Sequence, residues 1–295
     1  MADEIPAVEG IEHRFVDANG IRVHVAEAGP PDAPAVLLLH GWPQHWFMWR
    51  RVMGALSGEY RLLAPDLRGF GWTEAPGHGY DGETFAADQV ALLDALGLER
   101  AHVVGHDWGG WTAILLGILH AQRVDRMVVC NAPHPWSRLS WGVALELWRS
   151  WYTWVIATPG LGRLVLERPW IARSVLGRGN VGTPFTDEEF QLYVDSFREP
   201  ARADAIVKLY RYYQRAVREG ISGRWRHERL TVPTLLLFGV RDRYVSTKLL
   251  PGYEPYADDM RLELVPDSGH FIVNERPDLV IERTRDWLSG GRTAA

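Results

Sequence analysis

Val103-Val104-Gly105-His106-Asp107-Trp108-Gly109-Gly110 joins a short apolar run to a turn with glycine two residues either side of a central aspartate. A helical pattern starts at Trp111. Gly105 and Gly109 leave room for a sharp strand-to-helix bend, which lifts the Asp107 side chain above the end of a sheet. The N-terminus of the following helix favours negative charge at that point. Taken alone, the same residues also read as a glycine-rich turn with Asp107 as an ordinary N-cap.

Outward from that turn, apolar runs at 36–39, 62–64, 103–104 and 127–129 suit strands covered on both faces of a parallel sheet. Residues 21–25 alternate with period two after Asn19-Gly20, which predicts a hairpin at the sheet edge. Phe85, Val90, Leu93 and Leu96 place a helix over 84–96, with Gly97 positioned to end it. The pattern returns at 234–238 and 262–265 as strands, and at 277–288 as a helix with Pro277 in its first turn. Between them the strand signal vanishes, and Trp136, Trp141, Trp148, Trp151 and Trp154 follow in quick succession. The chain therefore divides into an α/β core over 1–132 and 230–295, interrupted by a helical cap over 133–229.

With 295 residues, 46% hydrophobic and 23% charged, the composition is that of a globular enzyme, not a disordered or fibrous chain. A net charge of −5 without a basic block excludes the electrostatic footprint of a nucleic-acid binder. Cys130 stands alone, sits in an apolar run and reads as a buried strand residue, which fits a reducing, cytoplasmic setting. Residues 1–10 show no secretory pattern, and Glu146 and Arg149 interrupt the apolar stretch 139–158, so no membrane span is expected.

Asp at position 107 dictates the chemistry. A carboxylate is ionised near neutrality and attacks without a base, which leaves a histidine free to activate water against the resulting ester. His270, past the last predicted strand, is the candidate base, and Asp242, past the preceding one, is the candidate acid. Each alone is an unremarked surface residue. Together, all three follow strands, where ligands gather in open α/β sheets, in the order nucleophile, acid, histidine. Asp242 would orient His270 and stabilise its imidazolium. In Leu39-His40-Gly41-Trp42-Pro43, the Trp42 N–H would join that of Trp108 in an oxyanion hole, unless this is a plain Gly-Pro loop.

His40-Gly41-Trp42-Pro43, Gly105-His106-Asp107-Trp108-Gly109-Gly110, the Gly239 to Asp242 spacing and Gly269-His270 resemble the soluble epoxide hydrolases, over nearly the whole chain. The resemblance implies an α/β-hydrolase fold with a mostly parallel eight-stranded sheet and an inserted all-helical cap. It implies hydrolysis of an apolar epoxide with water to a vicinal diol, with no cofactor or metal. It also implies two cap tyrosines that donate to the epoxide oxygen, at positions matching Tyr152 and Tyr210. Tyr210 shares a helical face with Ile206, Tyr213 and Val217, with Tyr212 pointing away, and Tyr152 shares a stripe with Trp141, Leu145 and Trp148. Tyr193 and Tyr213 compete for the same role, and ordinary core packing is the plain alternative. Trp148 and Trp151 are the expected walls of the apolar pocket.

Haloalkane dehalogenases share the Asp nucleophile and following Trp, but often carry Asn where Trp42 stands, and a halide needs N–H donors instead of a proton. Haloacetate dehalogenases carry arginines at the positions of Trp108 and Trp111. A serine esterase would need Ser at 107. A non-catalytic ligand-binding protein of the same fold would need none of the three catalytic groups. His40, His45, His102 and His106 lack a metal-site spacing and read as structural or oxyanion-loop residues.

Overall fold

A computed structural model describes residues 4–137, 150–168, 181–182 and 185–290. Eight strands form one sheet in the order β1-β2-β4-β3-β5-β6-β7-β8. β1 (Glu12–Ala18) and β2 (Ile21–Ala28) make the edge hairpin across Asn19-Gly20, both at positive φ, and β2 runs antiparallel to β4 (Arg61–Pro65). From β4 onward every pairing is parallel, through β3 (Ala35–Leu39), β5 (Ala101–His106), β6 (Val124–Cys130), β7 (Thr234–Gly239) and β8 (Met260–Val265).

The continuous apolar runs now have a cause. Successive strand side chains point to opposite faces, and here both faces are covered. Leu37, Leu39, Val103, Met127, Val129 and Leu236 enter one core, whereas Val36, Leu38, Val104, Val128 and Leu235 enter the other beside Trp46, Trp49 and Trp287. Cys130 is buried at the end of β6, as its apolar run implies.

The core helices are α1 (Arg50–Leu56), α2 (Gly82–Ala95) and α3 (Trp108–Leu119), with α8 (Ile272–Glu275) and α9 (Pro277–Leu288) near the C-terminus. Helix α2 begins two residues before the sequence reading because Asp81 caps it, accepting the Thr84 N–H at 2.9 Å. Gly97 lies just beyond its end at φ 68°.

Among the described residues between β6 and β7 there is no strand. That stretch holds α4 (Trp151–Ala157), α5 (Leu161–Leu166), α6 (Asp187–Asp195) and the long α7 (Pro200–Ser222). Buried Arg202 ties the start of α7 to the core. Its guanidinium donates to the carbonyls of Phe70 and Thr73 at 3.2 and 2.8 Å, and to Glu199 at 2.8 Å. No helix among the described residues is long and apolar enough to cross a membrane.

Candidate active site

Asp107 occupies the bend between β5 and α3 at φ 52°, ψ −117°. A non-glycine residue in that region costs about 1–3 kcal/mol and persists only where its surroundings enforce it. Here the Asp107 N–H donates to the Cys130 carbonyl at 3.1 Å, and its own carbonyl accepts from Trp111 N–H at 2.9 Å. Two glycines provide the space. A Cβ on Gly109 would lie 2.0 Å from the Leu39 carbonyl oxygen, and one on Gly41 would lie 2.4 Å from the Asp107 Cβ.

The backbone N–H of Trp42 donates to Asp107 Oδ2 at 2.9 Å, and that of Trp108 also points at the carboxylate. His270 Nε2 stands 3.8 Å from Asp107 Oδ1, beyond a direct hydrogen bond but facing the same carboxylate. On the other side of the ring, His270 Nδ1 donates to Asp242 Oδ2 at 2.8 Å. Asp242 accepts further from Tyr244 and Val245 N–H at 2.7 and 2.9 Å, and from Asn131 Nδ2 at 2.7 Å. The His270 carbonyl accepts from His106 Nε2 at 2.8 Å, and burial pushes His106 down to about 3, so that ring is neutral.

These surroundings set the charges. Burial raises Asp107 to about 6, while His270 and the N–H groups of Trp108 and Trp42 keep it from rising further. Burial disfavours a charged His270, but Asp242 and Asp107 outweigh it and lift the ring to about 9. Burial also works against an ionised Asp242, yet His270 and the three donors hold its carboxyl below the usual range.

A cavity of about 190 Å³ opens above Asp107 and His270. Tyr152 from α4 and Tyr210 from α7 line it, their ring centroids 6.1 Å apart. Tyr210 stands edge-on to both Trp42 and Trp108. Burial raises both phenols well above the usual tyrosine range, so each remains a proton donor. The remaining wall is largely apolar, including Trp111, Pro133, Pro135, Val217, Leu249 and Phe271.

A model of the alpha/beta hydrolase fold matches residues 34–158. The chain is 30% identical over 275 residues to Epoxide hydrolase 4 of Homo sapiens, covering 89% of this chain and 74% of that one. It is also 30% identical over 318 residues to Epoxide hydrolase A of Mycobacterium tuberculosis, covering 94% and 97% of the two chains. Among solved structures, Epoxide Hydrolase A from Mycobacterium thermoresistibile superposes with a TM-score of 0.79 at 25% identity, covering 96% of this chain and 100% of that one. The chain belongs to the epoxide hydrolase family.

In this family member, Asp107, Asp242, His270, Tyr152, Tyr210, Trp42 and Trp108 surround one cavity or brace its residues. Of the competing tyrosines, Tyr213 also lines the cavity, whereas Tyr193 packs against His45 and Phe47 elsewhere. Tyr212 turns away, its hydroxyl accepting from Trp111 Nε1 at 3.3 Å.

Trp151 is corrected: it lies 51% exposed and outside the cavity wall. Successive residues on a helix are turned by roughly 100°, so the turn that presents Tyr152 inward carries Trp151 out. Trp148, the other expected wall residue, lies outside the described residues, as do Trp141 and Leu145.

Two residues at the site escaped the sequence reading. Tyr244 lines the cavity, 5.0 Å from the His270 ring and 5.6 Å from that of Tyr152. Its signal was its place two residues past Asp242. Asn131 sits at φ 46°, and its amide donates to Asp242 and, at 3.1 Å, to the Gly269 carbonyl while accepting the Gly239 N–H at 3.2 Å. Its signal was a polar residue directly after the buried β6 run.

Proposed function

We propose that this protein hydrolyses an apolar epoxide to a vicinal diol through a covalent ester on Asp107. An Asp107 oxygen attacks one oxirane carbon and breaks its C–O bond, while Tyr152 and Tyr210 donate to the departing oxygen. That help is typically worth roughly 10²–10⁴-fold, because an unprotonated alkoxide leaves poorly. His270, oriented by Asp242, then takes a proton from water. The hydroxide attacks the ester carbonyl, and the N–H groups of Trp42 and Trp108 hold the oxyanion. The ester C–O bond then breaks with the imidazolium proton passing to the departing oxygen, and the proton left on Asp107 returns to the tyrosine phenolate as the diol departs.

One observation carries this reading: an aspartate held by two backbone N–H groups, a histidine poised against it, and two buried phenols share one apolar cavity. A halide leaving group would have no use for the phenols. Residues 133–229 act in this scheme as a cap that supplies the acids and an apolar wall for the substrate, and the setting we assign is the cytoplasm.

The deciding experiment is a single turnover of styrene oxide in heavy-oxygen water with enzyme in excess. Label is expected in the Asp107 side chain and absent from the first diol. Label in that diol with none in Asp107 would mean direct attack by water and would remove the covalent step.

A further inference from the structure

Helix α7 has a second working face. Tyr210, Tyr213 and Val217 look into the cavity, while Lys208, Arg211 and Arg215, at spacings of three and four, share the opposite side. Those three cations and Tyr212 line a separate, open concavity of about 370 Å³, together with the loop His78 to Asp81.

Like charges at these spacings cost a helix about 0.2–0.5 kcal/mol per pair. Here little offsets them. Among the described residues Lys208 and Arg211 have no ion-pair partner, Lys208 resting 5.6 Å above the Tyr80 ring. Arg215 reaches Glu219 at 3.5 Å, a carboxylate that Arg224 also takes at 2.7 Å. The lining carboxylate, Asp81, is engaged in capping α2 through Thr84.

The floor is fixed in advance. Tyr80 donates its hydroxyl to the Pro76 carbonyl at 2.7 Å, and Tyr212 is held by Trp111 in space that a Cβ on Gly82 would fill, 2.5 Å from the hydroxyl. This aromatic base lies beside two cations without an ion-pair partner among the described residues, Lys208 and Arg211, and a third, Arg215, that is only loosely paired. That set suits a ligand with several negative oxygens, because each added oxygen accepts from a further cation.

We propose that this concavity binds a multivalent oxyanion of the phosphate class, separately from the epoxide cavity. The source of that group is either a soluble phosphate or a lipid headgroup, and the test separates them.

The full-length protein is titrated calorimetrically with pyrophosphate and with inorganic phosphate, against sodium chloride at matched ionic strength. Sedimentation with phosphatidylcholine vesicles, with and without phosphatidic acid, runs in parallel. Saturable one-to-one binding with a Kd of about 1 mM or tighter is expected for one source. The Lys208→Gln/Arg211→Gln variant should weaken it at least about tenfold, the loss expected from even one charge-assisted hydrogen bond. Its styrene oxide turnover and circular dichroism should match the parent. Binding to soluble pyrophosphate assigns a free ligand, and binding to phosphatidic acid vesicles alone assigns a headgroup. No saturable binding to either source, an equal response to chloride, or undiminished binding by the variant overturns the proposal.

Discussion

Asp107 and His270 hold their charges against burial, and each depends on the other. Under the proposed mechanism Asp107, at about 6, must be ionised to attack, so the rate of ester formation should be level at neutral pH and fall as pH drops through about 6. His270, at about 9, is cationic in the resting enzyme, partly because the Asp107 charge faces it. Esterification removes that charge. The ring should therefore titrate lower in the intermediate than in the free protein, which makes it a base at the moment one is needed. The hydrolysis rate should rise with pH towards a midpoint below about 9. Single-turnover tryptophan fluorescence across a pH series resolves the two steps. A midpoint for ester formation near the ordinary carboxylate value, or a hydrolysis midpoint as high as that of free His270, would contradict this coupling.

Elements place these residues by one rule: each lies just past the C-terminal end of a parallel strand. Asp107 follows β5, Asn131 follows β6, Asp242 follows β7 and His270 follows β8. Asn131 binds the last three together, since its amide touches Asp242, the Gly239 N–H and the Gly269 carbonyl. Asn131→Ala should lower unfolding stability by about 1–3 kcal/mol, read from the urea midpoint, because it strands buried polar groups. It should also slow ester hydrolysis more than ester formation, with the pH midpoint of hydrolysis moving as Asp242 loosens. Unchanged hydrolysis in a folded variant would reduce Asn131 to packing. The strand ends at 107, 242 and 270 were legible in the sequence because a doubly covered strand leaves an apolar run and the chemistry follows it directly. Asn131 was not, since an asparagine after a strand carries no sign of which loops it joins. Trp151 misled because its place in a run of tryptophans suggests a wall residue, whereas the helical stripe through Tyr152 already turns it about 100° away. The arm β1, with His13, Arg14 and Asp17 among its residues, was located only through its hairpin turn.

Across the whole molecule, the proposed reaction needs a nucleophile from the sheet and acids from helices between β6 and β7, so their relative position is itself a requirement of that proposal. Arg202 is where the described structure secures it. Buried at 6% exposure on α7, eight positions before Tyr210, it donates to two carbonyls of the loop after β4 as well as to Glu199. Hydrogen bonds from a charged group contribute about 1.5–3 kcal/mol, and deleting the donor leaves two carbonyls buried without it. Arg202→Ala should thus lower the unfolding free energy by about 2–3 kcal/mol. Freed of this tie, Tyr210 should lose its register with Asp107, so ester formation slows while hydrolysis of ester already formed by His270 and water changes less. Arg202→Lys keeps the charge without the planar fork and should recover stability better than rate. The comparison of the two half-reactions is what decides: if both slow equally in Arg202→Ala, the guanidinium supports the fold at large and does not align α7 over the nucleophile.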